Sequence, residues 1–205
     1  MSLRRVHNAC KRRLIQHCVN ILQLPRGLAD CIVVDFACGR GGDLNKVMGC
    51  KQYTGVDAAD QALVELQRRA AELHMDVRVH LGDAADVPVT RCHLALCNFA
   101  LHYFCDTKEH CTALLHKISE CLEPNAVFCG TYERVPGADL GMKWGTRFHA
   151  VVGDCVDAVE WRVPWHAVCA AALRVGLAVV HNQPLTCIHG EAALHVWSFI
   201  FQKQR

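Results

Sequence analysis

Residues Cys31–Leu44 read CIVVDFACGRGGDL, and this stretch decides the fold. An apolar run, Ile32–Val33–Val34, ends at the acidic Asp35. The glycine-rich turn Gly39–Arg40–Gly41–Gly42 follows, and Asp43–Leu44 then opens an expected short helix to about Met48. Strand, glycine turn and helix in that order build a nucleotide-shaped crevice at the carboxyl end of the first strand of a doubly wound α/β sheet. The glycines let the backbone adopt positive φ and approach a ligand closely. The order Ala37, Gly39, Gly41, Gly42 is not the dinucleotide fingerprint. An acid ahead of the turn suits a ligand with an amino-acid ammonium group better than a pyrophosphate. That points to S-adenosyl-L-methionine more than to NAD or ATP.

Upstream, Val6, Cys10, Leu14, Cys18 and Leu22 recur at helical spacing, and the remaining positions carry Arg4, Arg5, Lys11, Arg12 and Arg13. Such a charge run is either a solvated face or one that meets phosphates. Pro25 and Gly27 end this helix. Downstream, a strand at Tyr53–Asp57 places Asp57 about 20 residues beyond the first strand's end, where an acid accepts hydrogen bonds from ribose hydroxyls. A helix is expected from about Ala59 to Leu73, and a short third strand at Val77–Val79 leads to Gly82–Asp83 at the same crevice edge. A fourth strand, Leu94–Cys97, ends in Asn98, and Phe99–Tyr103 forms a loop beside the crevice. A helix from about Thr107 to Leu122 stops at Pro124–Asn125, and Ala126–Thr131 is the fifth strand. Strands and helices alternating at these lengths predict a mainly parallel sheet. In the last third, Arg147–Val152, Leu177–His181 and Ala193–Phe201 read as strands, with a helix at Trp165–Arg174 and an irregular loop between Val135 and Gly145.

Composition bounds the reading. A chain of 205 residues, 52% hydrophobic and 20% charged, suits one globular domain with a sizeable core. A net charge of +2 does not by itself mark a nucleic-acid binder. No apolar run reaches membrane-spanning length, so no membrane partner is expected, and MSLRR has no apolar stretch after it to make a signal peptide. The 14 cysteines are scattered and contain no Cys-x-x-Cys pair, so structural metal is not expected. Most lie in apolar stretches and read as reduced, small hydrophobes of a cytosolic or nuclear protein.

Several separated motifs together make the chain resemble the messenger-RNA cap guanine-N7 methyltransferases. That family has DLGCGKGGDL with a lysine two residues on; here it is DFACGRGGDL with Lys46. Its paired asparagines and following lysine correspond to His7–Asn8–Ala9–Cys10–Lys11, and its aromatic segment ending in His-Tyr to NFALHY, Asn98–Tyr103. Its Gly-Thr is Gly130–Thr131, and its Val-Asp-x-Pro-Glu is Val156–Asp157–Ala158–Val159–Glu160. Ala37 stands for a glycine, Asn98 for a glutamine, and Tyr132–Glu133–Arg134 where the family has Pro-Asn.

The resemblance implies a Rossmann-like class I methyltransferase fold, an α/β architecture with a mostly parallel seven-stranded sheet and helices on both faces. It makes residues 1–205 one domain: a basic helix at 1–27, a donor-binding half at 28–135 and a cap-binding, sheet-completing half at 136–205. It implies that Lys11, Asp35, Ala37, Gly39, Asp57, Asp83 and Asn98 hold S-adenosyl-L-methionine. Asn8, His102, Tyr103 and Glu160 would hold the guanine base, and Arg40, Lys46 and Arg69 would face the cap's phosphates. Capped RNA would be the partner, with other capping enzymes or a stimulatory subunit as further partners, and other proteins would supply the remaining capping steps. Methylation of guanine N7 uses a free lone pair, so no covalent or acid–base residue is nominated. A small-molecule methyltransferase of the same fold, or a silent RNA-binding subunit, are the competing readings.

Overall fold

A computed structural model describes residues 3–88, 90–134, 141–152, 156–185 and 196–204. Helix α1 (Leu3–Leu22) precedes β1 (Ile32–Phe36), β2 (Gln52–Asp57), α2 (Asp60–Glu72), β3 (Val77–Leu81) and β4 (Cys92–Asn98). Then come α3 (Lys108–Cys121), β5 (Leu122–Glu133), β6 (Arg147–Val152), β7 (Val156–Trp161), α4 (Trp165–Arg174), β8 (Leu177–Pro184) and β9 (Val196–Lys203). Seven strands form one sheet in the order β3-β2-β1-β4-β5-β9-β8. The first five pair in parallel, whereas β9 runs antiparallel to both β5 and β8. Strand order reverses between β1 and β4, and in open α/β sheets the ligand crevice lies at that reversal, outside the carboxyl ends of the strands.

Alternation along the central strands sorts the core into two layers. Val34, Ala95, Cys97, Phe128 and Phe201 face one side, with Leu114, Leu115 and Ile118 of α3 and Val168 and Ala172 of α4. Val33, Leu94, Leu96, Val127 and Cys129 face the other, with Leu14, Ile15 and Cys18 of α1 and Leu63 and Leu66 of α2. Side chains of a strand alternate between faces, so a strand covered on both sides must be apolar at almost every position. Gly130 on β5 is required by close approach: a Cβ there would lie 1.9 Å from the Cys97 carbonyl oxygen.

The chain departs from expectation in several places. The helix expected after the glycine turn is a three-residue 3₁₀ turn, Leu44–Lys46, because the Asp43 side chain does not cap it and instead holds two lysines. Strand β5 begins at Leu122, directly off α3, rather than at Ala126. Strand β7 is additional; it pairs with β6 in a separate two-stranded ribbon. Residues 135–140 of the expected loop and 193–195 of the expected last strand lie outside the described residues. Among the described residues, eleven cysteines are free thiols, as expected, but Cys10 is disulfide-bonded. No described helix is long and apolar enough to cross a membrane.

Candidate active site

The carboxyl ends of β1, β2 and β4 and the turn after β3 open on one cavity of about 840 Å³. Lys11, Asp35, Ala37, Gly39, Asp57, Asp83 and Asn98, the whole expected donor set, line it, as do Arg40, Arg69 and Tyr103 from the expected cap set. The glycine turn holds its shape through Ala37, Gly39 and Gly41, with φ of 57°, 52° and 70°. A side chain at Gly41 would meet Leu44 Cδ1 at 2.7 Å. Ala37 takes the left-handed conformation without being glycine, which is strained by roughly 1–2 kcal/mol.

Each acid has a distinct environment. Asp57 accepts from the Gly39 amide at 2.7 Å and from the Ala59 amide at 2.9 Å, so it ties the glycine turn to the start of α2. Asp35 accepts from the Tyr53 hydroxyl at 2.8 Å. Burial and the neighbouring Asp43 push the Asp35 carboxyl up to about 8, outweighing the Tyr53 hydrogen bond and the fields of Lys11 and Lys46. Asp83 accepts from the Ala85 amide at 2.8 Å and lies 3.1 Å from His110 Nε2. His110 Nδ1 in turn lies 2.7 Å from Asp106 Oδ1, and the ring packs edge-on against Phe104.

Beneath the glycine turn sits a buried ionic cluster. Asp43 Oδ1 lies 2.6 Å from Lys11 Nζ and 2.9 Å from Lys46 Nζ, and Oδ2 accepts from the Asn98 amide at 2.9 Å. Burial pushes the Asp43 carboxyl up, but the two lysines outweigh it and hold the carboxyl below its usual range. Lys46 corrects an expectation. Its side chain is 1% exposed and its ammonium also donates to the Gly42 carbonyl at 2.6 Å, so it belongs to the scaffold and does not face phosphates. Arg40, by contrast, is exposed on the cavity lip. Arg69 lines the cavity while paired to Glu65 at 2.6 Å.

A second polar site adjoins the cavity. Strand β4 ends as Phe99 turns to φ 55°, its amide held at 3.0 Å by both the Thr131 hydroxyl and carbonyl. This is the structural work of Gly130–Thr131. The loop then forms a 3₁₀ turn, Leu101–Phe104, that buries His102 and leaves Tyr103 48% exposed. Their rings lie 4.0 Å apart. Ribbon β6–β7 brings buried Glu160 so that its Oε2 is 3.3 Å from His102 Nε2. The angle makes no hydrogen bond, and His102 Nε2 is buried without one among the described residues. Burial lowers His102 to about 4, so the imidazole is neutral, while burial and then Glu133 raise Glu160. The pair is therefore two polar groups side by side rather than an ion pair. Asn8 is half-buried on α1, one residue from His7, whose ring packs against Phe99 at 5.0 Å. Asn8, His102 and Glu160 stand outside the lining of the main cavity.

Asp43 as an anchor and His110 and Phe104 as cavity walls were not among the expected site residues. Asp43 had a partial signal, since it stands in the GGDL motif with Lys46 three residues on, whereas nothing local ties it to Lys11. Asp106 and His110 had the i,i+4 spacing of a helix start, which alone does not reveal what they face.

The strand order, the reversed β9 and the acid-lined glycine turn at β1 define a class I methyltransferase fold. A methyltransferase from Clostridium acetobutylicum described as S-adenosylmethionine-dependent superposes with a TM-score of 0.73 at 12% identity, covering 98% of this chain and 92% of that one. Magnesium protoporphyrin IX methyltransferase from Synechocystis gives 0.67 at 11% identity, covering 98% and 86%. At such identities the likeness is one of fold. Residues 1–140 match the family model of the mRNA (guanine-N(7))-methyltransferase domain, and the chain belongs to that family. It is 28% identical to mRNA cap guanine-N(7) methyltransferase 1 of Oryza sativa over 202 residues, covering 71% of this chain and 52% of the relative. To the mRNA cap guanine-N(7) methyltransferase of Eremothecium gossypii it is 29% identical, covering 68% and 34%. The chain thus spans about a third to a half of the length of these relatives.

Proposed function

We propose that this chain transfers a methyl group from S-adenosyl-L-methionine to N7 of the guanine cap of RNA. The observation that carries this reading is a pair of adjoining sites joined by Tyr103. One is a nucleoside-sized cavity lined by strand-end acids, and the other is the buried His102–Glu160 pair.

The donor fits the cavity's chemistry. A carboxylate has about four lone-pair sites. Asp57 uses its oxygens to accept from two backbone amides, leaving capacity for ribose hydroxyls. Asp35 offers a carboxyl toward an ammonium group, while Asp83, after β3, and Asn98, at the end of β4, flank the cavity on either side. When bound, the donor supplies an electrophilic methyl group.

Guanine N7 needs no deprotonation, so the residues act by alignment and electrostatics. Glu160 accepts from the guanine N1–H and N2 amino group, where its negative charge favours the cation that methylation creates. Tyr103 stacks on the base, as aromatic side chains do on unpaired RNA bases. Neutral His102 orients the base edge beside it. Arg40 meets the cap's phosphates, with Arg69 behind it on the cavity wall. No cysteine acts as nucleophile. Capped RNA, a nuclear or cytoplasmic species, is then the substrate, and other capping proteins supply the preceding steps.

Loss of a hydrogen bond to a charged group is worth 1.5–3 kcal/mol, roughly ten- to hundredfold. Glu160→Gln is therefore expected to lower turnover on capped RNA by about that factor. Titration with S-adenosylhomocysteine should give unchanged affinity. Normal turnover in the variant refutes the base role, and absence of S-adenosylhomocysteine binding to the native chain refutes the donor assignment.

A further inference from the structure

We propose that the exposed face of α1 is a docking surface for the RNA that follows the cap, an inference that rests on the cap-methylation reading. Helix α1 contains no acidic residue in its 20 positions, LRRVHNACKRRLIQHCVNIL, and five Lys or Arg. Against a whole-chain net charge of +2, this one helix carries an excess that leaves the rest of the chain acidic on balance. The charge is not spread around the helix. Cys10, Leu14, Ile15 and Cys18 are buried against the sheet, while Arg5, Arg12, Arg13 and Gln16 are exposed on the other side.

Several arginines elsewhere on the surface are ion-paired. Arg26, Arg68, Arg69 and Arg91 each have a carboxylate partner. Among the described residues, Arg5, Arg12 and Arg13 have none; Arg12 donates to the Asn45 carbonyl at 3.2 Å. An uncompensated row of cations attracts polyanions, and neutralising phosphates releases their counterions.

The row is also continuous with the site. Lys11 lines the cavity from the same helix, and His7 packs on Phe99 of the cavity loop. Arg12 reaches the turn that follows Arg40, Gly42 and Asp43, all cavity-lining. A nucleotide chain leaving the base site over Arg40 therefore meets Arg12 and Arg13, and then Arg5 about 10 Å further along the helix axis. An anionic membrane surface is the weaker match, because the apolar side of α1 is already buried and offers nothing to insert.

The triple variant R5Q/R12Q/R13Q tests this with two substrates. On a capped dinucleotide its kcat and KM are expected to equal those of the native chain. On a capped RNA of about ten nucleotides its KM should rise at least tenfold, toward the dinucleotide value. Single strands give a salt slope of about −0.7 per phosphate neutralised, so the slope of log K against log salt should flatten by about 2. Equal KM for dinucleotide and decamer in the native chain, or a variant that keeps the decamer preference and slope, overturns the proposal. Fluorescence anisotropy with an uncapped decamer reads the surface without any methyl transfer. The docking surface and the cap reading therefore fail separately: loss of anisotropy binding in the variant alone supports the former even if the enzyme is silent.

Discussion

Replacing Asp43 with asparagine keeps the shape of the side chain and removes the carboxylate lying between two ammonium groups. Lys11 and Lys46 are 2.6 and 2.9 Å from Asp43 Oδ1, with all three side chains nearly buried. With an effective dielectric of about 20, each contact is worth about 6 kcal/mol of attraction. Desolvation already offsets much of that, and measured losses on breaking a buried pair are about 3–5 kcal/mol. A domain of this size shifts by roughly 2–4 °C per kcal/mol, so the melting temperature should fall by about 6–20 °C. The pH dependence carries the mechanism. Burial already lowers the Lys46 amine against the raising field of Asp43, and without Asp43 that amine would be lowered further. A lysine lowered on folding binds fewer protons folded than unfolded, so the variant's stability should climb as pH rises toward 10. The native carboxylate, held below its usual range, contributes above the unfolded value near 4 and is lost as pH falls through its folded value. Urea titrations of both proteins at pH 6 and 9 check this. A variant within 1 kcal/mol of native, or one with no gain at pH 9, refutes the reasoning.

Three further outcomes follow from the same geometry. Ala37→Gly relieves a left-handed alanine worth about 1–2 kcal/mol but adds unfolded-state entropy worth about 0.4–1 kcal/mol, so a gain of about 0.5 kcal/mol in urea unfolding is expected; a loss would contradict the strain. Asp35 holds its proton to about 8 when folded and only to about 4 when unfolded, so stability should decline as pH rises between those values; Asp35→Asn should flatten that decline, and an unchanged slope counts against it. Asp57→Ala frees the Gly39 amide and should weaken S-adenosylhomocysteine binding by roughly ten- to hundredfold in calorimetry; unaltered affinity would refute the ribose assignment.

The parallel core was legible because β1, β2, β4 and β5 are covered on both faces and so read as apolar runs punctuated by glycine, asparagine and proline. The cavity was legible for a related reason: in this topology strand ends converge, and an acid or an amide at each end is visible as a letter at a spacing. What the letters withheld was direction. Lys46 sits at a motif position, yet only packing shows its ammonium turned inward onto Asp43 and Gly42. Asp43 looked like a helix opener because the competing use of its carboxylate needs Lys11, 32 positions earlier. Strand β7 escaped because it pairs with β6 outside the main sheet and its apolar letters are interrupted by Asp157 and Glu160. The His110 link to Asp83 joins α3 to the turn after β3, a contact of tertiary origin.

The most direct test is methyl transfer from labelled S-adenosyl-L-methionine to GpppG-capped RNA against the same RNA with a 5′ triphosphate. Label recovered as N7-methylguanosine from the capped RNA alone is the predicted result. Transfer to both RNAs, to another position of the cap, or to neither would contradict the proposed function.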